Sequence, residues 1–181
     1  VLYKIMQSIY LAGGCFWCTE AVYLSVKGII SVKPGYMGGT TDNPTYEEIC
    51  KGDTGHAEVI KCEYNENNIS LEKILNIFFL IHDPTQLNRQ GNDVGSQYRS
   101  AIFLSNLNQM KTVELSLAKA KMFYKEKIYT EIASNVTFFP AEDYHQDYYK
   151  KNRNSGYCNT LIPPKLKKLK EVFSEDFKEY I

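Results

Sequence analysis

The stretch Gly13-Gly14-Cys15-Phe16-Trp17-Cys18-Thr19-Glu20 places two thiols beside the chain's one tryptophan and behind a glycine pair. Ile5 to Leu11 has strand composition and stops at a tight turn, and no proline or glycine interrupts Phe16 to Lys27. Cys15 is therefore expected at the N-terminus of a helix. There the unpaired N–H groups and the helix dipole favour a thiolate, the nucleophilic form of cysteine. The competing reading is a small buried residue without chemistry. Two glycines argue against it, because they leave the backbone open to a ligand. Phe16 and Trp17 are ordinary core material taken alone. Beside a working sulfur they would form an apolar wall able to accept a group as small as a methyl.

Cys15 and Cys18 make a Cys-x-x-Cys, which brings both sulfurs to one helix face. The pattern serves a redox pair or half of a zinc site, and zinc would need Cys50 and Cys62, which lack the short ligand spacing of structural sites. His56-Ala57-Glu58 carries the His-x-Glu half of the zinc deaminase signature, but the chain's Cys-x-x-Cys lies upstream of it and no proline precedes that pair. Glu58 matters for another reason. In the alternating stretch Ala57 to Tyr64 it shares a face with Ile60, Cys62 and Tyr64. A carboxyl on an apolar face is held toward its neutral form and can act as an acid near neutral pH; the alternative is a solvated edge-strand glutamate. His82 and His145 read as hydrogen-bonded structural histidines, and Cys50 and Cys62 as small core residues. This chemistry requires a Cys15 side chain that solvent can reach and a Glu58 carboxyl on the same side of the sheet.

The elements that must position these groups follow from periodicity and punctuation. Ile29 to Met37 has partial strand composition and leads through a Gly, Thr, Asn and Pro loop to a short helix, Tyr46 to Lys51. After the strand Ala57 to Tyr64, Ser70 caps a helix from Leu71 to His82, with Leu71, Ile74, Leu75, Phe78 and His82 in one stripe. A long polar loop, Asp83 to Gln97, separates it from a strand at Tyr98 to Leu104. Asn106 to Lys127 is an amphipathic helix with Met110, Val113, Leu117, Ala120 and Tyr124 inward, and Ile132 to Phe139 is a last strand. This order predicts an α+β fold, a two-layer α/β sandwich with a ferredoxin-like mixed sheet and helices packed on it. Tyr157 to Pro164 reads as coil and puts Cys158 on a mobile tail from about residue 152 of a single domain spanning 1–181. Lys165 to Lys170 reads as the solvated face of a terminal helix.

Composition narrows the partners. Lys plus Arg and Asp plus Glu both number 21, so the chain as a whole has no electrostatic preference for nucleic acid or an anionic membrane. No apolar run approaches the roughly 20 residues of a membrane-spanning helix, and the first residues lack the layout of a secretory signal. The five cysteines are an odd number, so at least one thiol is expected free, as in a reducing compartment. A cytoplasmic protein is expected, although Val1 leaves room for a removed leader.

Seven blocks, Gly14-Cys15-Phe16-Trp17, Gly35-Tyr36-Met37-Gly38-Gly39, Asn43-Pro44-Thr45-Tyr46, Gly52-Asp53-Thr54-Gly55-His56-Ala57-Glu58, His82-Asp83-Pro84, Gly91 to Ser100 and Ala141-Glu142-Asp143-Tyr144-His145-Gln146, together resemble the peptide methionine sulfoxide reductase A family, in order over nearly the whole chain. The resemblance implies that Cys15 attacks the sulfoxide sulfur while Glu58 supplies a proton to the departing oxygen. It implies that Tyr46 and Tyr98 donate hydrogen bonds to that oxygen, that Phe16 and Trp17 hold the S-methyl group, and that Asp93 helps to bind the substrate. It further implies the S epimer, free or in proteins, a sulfenic acid on Cys15 resolved by Cys158 or Cys18, electrons from thioredoxin or another dithiol, and no metal or organic cofactor. A monomer is expected. Two other functions fit the residues less well: a general thiol-disulfide oxidoreductase using Cys15 and Cys18, and a zinc-stabilised binding module.

Overall fold

The computed structural model describes residues 6–180. In chain order its elements are β1 (Met6–Gly13), α1 (Phe16–Leu24), β2 (Ile29–Met37), α2 (Tyr46–Lys51), β3 (Ala57–Asn65), α3 (Leu71–Ile81), β4 (Arg89–Gln90), β5 (Asp93–Val94), β6 (Ser100–Leu104), α4 (Met110–Phe123), β7 (Glu131–Ser134), β8 (Phe139–Pro140), α5 (Tyr148–Lys151) and α6 (Gly156–Val172). Ile5, expected in the first strand, lies outside the described residues.

Six strands form one sheet in the order β7-β6-β1-β3-β2-β8, antiparallel throughout except for the parallel pair β6 and β7. In its central four strands α1 carries the chain from β1 to β2 across β3, and α3 carries it from β3 to β6 across β1. These two interleaved crossovers are the ferredoxin-like arrangement that the element order predicts. The α+β reading of the sequence therefore holds.

Period-two alternation sorts the strand residues as expected. Ile60, Cys62 and Tyr64 of β3 join Ile9 and Leu11 of β1 and Ile102 of β6 beneath Val22 and Tyr23 of α1 and Ile74, Leu75 and Phe78 of α3. Ala57 and Val59 face the other way with Ala12 and Phe103, where Val136, Phe138 and Tyr10 cover them. Glu58 thus lies on the helix side.

β2 is a full strand even though Pro34 and Gly35 interrupt its pattern. The Pro34 carbonyl accepts from Ala141 N at 3.0 Å, so the missing N–H falls on that side and the β3 ladder loses nothing. Gly35 is required by packing, since a Cβ there would lie 2.3 Å from the Phe138 ring. The polar loop after α3 is built rather than open: β4 and β5 pair across it, and Gln90 clamps its start through Asp83 N to Oε1 and Nε2 to Asp83 O, both 3.0 Å.

The C-terminal expectation needs correction, because Tyr157 to Pro164 is not coil but the first half of α6. Pro163 and Pro164 read as helix breakers. The structure instead follows the helical-period stripe Cys158, Ile162 and Leu169, whose three side chains are all 0% exposed. Packing of that stripe outweighs the hydrogen bonds the prolines remove. The basic run is likewise not uniformly solvated: Lys165 Nζ donates to Ile81 O, and burial lowers its pKa.

His82 is the structural histidine expected from sequence. Its Nδ1 lies 2.5 Å from Phe78 O and its Nε2 2.8 Å from Ser100 Oγ. Burial pushes its pKa down to about 4. A base with a depressed folded pKa makes the folded state lose stability as pH falls below its unfolded value. Between about pH 6.5 and 4, His82 should therefore remove up to about 3 kcal/mol. Glu20, pushed up to about 7 by burial, titrates with the opposite sign. The measurement is thus a difference: denaturant unfolding at several pH values should give a steeper acid loss for the wild type than for His82→Gln, and equal slopes would contradict it.

Candidate active site

Cys15 caps α1 at the end of the turn that leaves β1. Gly14 before it has φ +98°, a conformation that side chains resist, and a Cβ there would come within 2.7 Å of Gln90 Cγ. At Gly13 a Cβ would meet the His82 and Phe78 rings at 3.3 Å. The glycine pair thus lets His82 and Gln90 pack tightly behind the thiol, instead of leaving backbone bare for a ligand as the sequence suggested.

The first N–H of α1, that of Phe16, donates to Glu58 Oε2 at 3.0 Å. Glu58 reaches it from β3, opposite Tyr36 of β2, and is 2% exposed. Burial pushes its carboxyl well above the usual range, the neighbouring Cys15 sulfur pushes it further, the Phe16 N–H pulls it back, and Asp93 adds a smaller upward push. A carboxyl buried on the apolar face is what the alternation phase predicts; its place next to the Cys15 turn comes from the fold.

The thiol itself differs from expectation. Cys15 is 7% exposed, and burial, followed by the Cys18 thiol, raises its pKa, while hydrogen bonds from Tyr157 and the Trp17 N–H lower it. A helix N-terminus contributes about 0.3–1 kcal/mol, less than one pKa unit. Full burial moves a group by up to about 3–5 units. Burial wins. The cover comes from the first turn of α6, where Tyr157 donates its hydroxyl to Asp93 Oδ2 and also hydrogen-bonds the Cys15 thiol.

The remaining groups converge from separate segments. Tyr46 opens α2, which a Thr45–Glu48 capping box starts and Gly52 ends. Its ring stacks on Phe16 at 6.5 Å and 18°, with Trp17 at 6.3 Å. Tyr98 follows β5 and packs on the cysteine cluster. Burial raises both phenols above their usual range and the Glu58 charge is the next cause for each, so both stand around that carboxyl. Asp93 and Cys15 act on Tyr98 as well. Trp17 stacks on Tyr148 at 3.8 Å and 5°, and its Nε1 donates to His145 Nδ1 at 3.0 Å.

Cys18 and Cys158 join Cys15 in one cluster with Ala21 and Ile162, between α1 and α6, and all three thiols are free. Spacing alone could not bring Cys158 there; the fold does. Cys62 is a core residue as expected, but Cys50 is exposed, because the short α2 buries only Ile49. The four cysteines of the zinc reading are therefore not assembled, and among the described residues no three His, Cys, Asp or Glu side chains are grouped to hold a metal. His56 is tied to Gly39 N at 3.0 Å and Thr41 O at 2.7 Å and faces no thiol pair, so the deaminase reading fails too.

Sequence reasoning missed Tyr157, Tyr148 and Glu20. Glu20 is 1% exposed and accepts from Asp147 N and Tyr148 N at 2.9 and 3.1 Å, which docks α5 under Trp17. Its signal was present: α1 is apolar nearly all round, so a glutamate in it must be buried and needs donors.

The model of the family described as peptide methionine sulfoxide reductase matches residues 7–177. The peptide methionine sulfoxide reductase MsrA of Psychrobacter arcticus is 52% identical over 94% of this chain and 98% of that one. Reduced Mxr1 from Saccharomyces cerevisiae superposes with a TM-score of 0.80 at 36% identity, covering 87% of this chain and 92% of its own. Mxr1 in complex with Trx2 gives 0.56 at 25% identity over 80% and 86%. With the site geometry and this similarity over almost its full length, the chain belongs to the MsrA family of peptide methionine sulfoxide reductases, oxidoreductases that act on the sulfoxide of methionine.

Proposed function

We propose that this chain reduces methionine S-sulfoxide, free or in proteins, with Cys15 as nucleophile and Glu58 as proton donor. The observation that carries the assignment is the Glu58 carboxyl, buried on the helix face and bonded to the N–H next to Cys15. A sulfoxide sulfur is a weak electrophile until its oxygen is protonated or strongly hydrogen-bonded. Glu58 supplies the proton, and the Tyr46 and Tyr98 hydroxyls bond the developing oxygen charge. Phe16 and Trp17 receive the S-methyl group, and Asp93, once Tyr157 releases it, binds the substrate.

Attack forms a bond between the Cys15 sulfur and the substrate sulfur. Loss of the oxygen and hydrolysis of that bond leave methionine and a Cys15 sulfenic acid. A second thiol then displaces water from the sulfenic acid to give a disulfide, and an external dithiol takes up the oxidation. The balance is sulfoxide plus dithiol to thioether, disulfide and water. Because Tyr157 covers Cys15, the first turn of α6 moves for substrate to enter, which accords with a mobile segment from about residue 152 carrying Cys158. Thioredoxin is the proposed reductant, supported by the complex of Mxr1 with Trx2. The free cysteines support a cytoplasmic setting, and a single domain acting as a monomer suffices because one chain supplies every site group.

Cys158 is proposed as the resolving thiol, with Cys18 sharing that role or acting earlier. After one turnover without reductant, mass mapping of Cys18→Ser should find Cys15 joined to Cys158, and of Cys158→Ser should find Cys15 joined to Cys18. Neither variant trapping a bond to Cys15 would overturn the relay. A general disulfide reductase would instead reduce insulin disulfides and ignore sulfoxides.

A further inference from the structure

His145 lies on the 3-10 turn before α5, is 0% exposed, and belongs to no step of the reaction described above. It sits among the pocket's aromatic groups: ring centroids of Tyr144, Tyr46, Phe16 and Trp17 lie 4.0, 4.4, 5.0 and 5.7 Å away. Its tautomer follows from one contact. An indole N–H can only donate, so Nδ1, which receives the Trp17 Nε1–H at 3.0 Å, has no proton, and the neutral ring's proton is on Nε2. Nε2 is buried without a hydrogen-bond partner among the described residues. The ring therefore spends its one acceptor on Trp17.

We propose that His145 is a positioning residue of the sulfoxide pocket: as a neutral imidazole it holds the Trp17 indole against the place of the substrate's methyl group, and on protonation it lets go. Protonation would put a second N–H on Nδ1, facing the indole N–H across 3.0 Å with no acceptor between them. The buried site disfavours the cation besides. The titratable groups around it are few. Glu142 on its own turn favours the cation, but that carboxylate is already taken by the Tyr36 hydroxyl at 2.9 Å and the Tyr46 N–H at 2.9 Å. Tyr46 on α2, Tyr144 on its own turn and Tyr148 on α5 present phenols, and from α1 Glu20 holds the start of α5. Burial is the larger influence and lowers the His145 pKa.

The assignment of a methyl to this wall rests on the function proposed above, but the test has a readout that does not. Trp17 is the only tryptophan, so its fluorescence reports this contact without substrate. In the wild type the emission should shift as pH falls below histidine's usual value, about 6.5. His145→Phe, which keeps a ring but offers no acceptor, should show the acid-form spectrum already at pH 7.5. It should also raise the KM for a methionine sulfoxide about tenfold with kcat within about threefold, the scale of one unsatisfied buried donor. His145→Asn keeps an acceptor on the same side and cannot titrate, so it should recover most of the neutral spectrum and KM and lack the acid shift. Glu20→Gln should retain that shift. The proposal is overturned if His145→Phe leaves emission and KM as in the wild type, or if His145→Asn and His145→Phe are equally impaired, which is the pattern of a merely structural residue. A wild type inactive on sulfoxides would refute the function, and the fluorescence titration would still decide the role of His145.

Discussion

Cys15→Ser should abolish sulfoxide reduction, lowering kcat/KM with dithiothreitol by at least about 10³-fold, the scale seen when a covalent nucleophile is removed. A serine hydroxyl is a far weaker nucleophile toward sulfur and has no sulfenic acid state with which to carry the oxidation onward. Substitution removes one atom's worth of polarizable bulk from a site 7% exposed, so the fold should persist. The accompanying stoichiometry is sharper than the rate. Without reductant, the wild type should form about one methionine per chain as two thiols disappear, whereas Cys15→Ser should form none and keep Cys18 and Cys158 titratable. Turnover by Cys15→Ser above a tenth of the wild-type rate would end the mechanism.

The same residue shows what a sequence can and cannot disclose. The place of Cys15 at a helix start was legible, because a strand, a glycine pair and an uninterrupted apolar run leave few other arrangements. So was the face of Glu58, since a strand has period two and one side of β3 is covered by helices. The protonation state of Cys15 was not legible. The helix dipole is a local effect and points toward the thiolate, but burial outweighs it, and the groups that bury the sulfur include Cys158 and Ile162 of α6, more than 140 residues further along the chain. Nor did Pro163 and Pro164 disclose that α6 runs through them, because the stripe that holds it gains its value only against α1. Tyr46, Tyr98 and Asp93 entered through a family resemblance alone. Among 14 tyrosines nothing local marks two that meet one carboxyl from different segments. Cys50 shows the reverse error: a small apolar residue on a short helix was read as core, although a single buried side chain anchors that helix.

Glu58→Gln should lower the rate of the sulfoxide step by about 10²–10³ while leaving the protein folded. Glutamine matches the shape, and its amide oxygen can still accept from Phe16 N, so the start of α1 stays in place. What it lacks is a proton to give. The pH dependence separates this from a packing defect. In the mechanism proposed above, the step needs Cys15 without its proton and Glu58 with one, and the two groups are linked: charge on the sulfur raises the Glu58 pKa. Forming the nucleophile therefore tightens the acid's hold on its proton, where the departing oxygen needs it. The two limbs of kcat/KM therefore belong to the Cys15–Glu58 pair as a unit. Because burial raises the pKa of each group, the whole profile should lie at higher pH than it would for the same pair in water. Glu58→Gln should keep the rise with pH and lose the alkaline fall. A variant within threefold of the wild-type rate, or one that keeps an unchanged alkaline limb, would move the proton donor's role to the Tyr46 and Tyr98 hydroxyls.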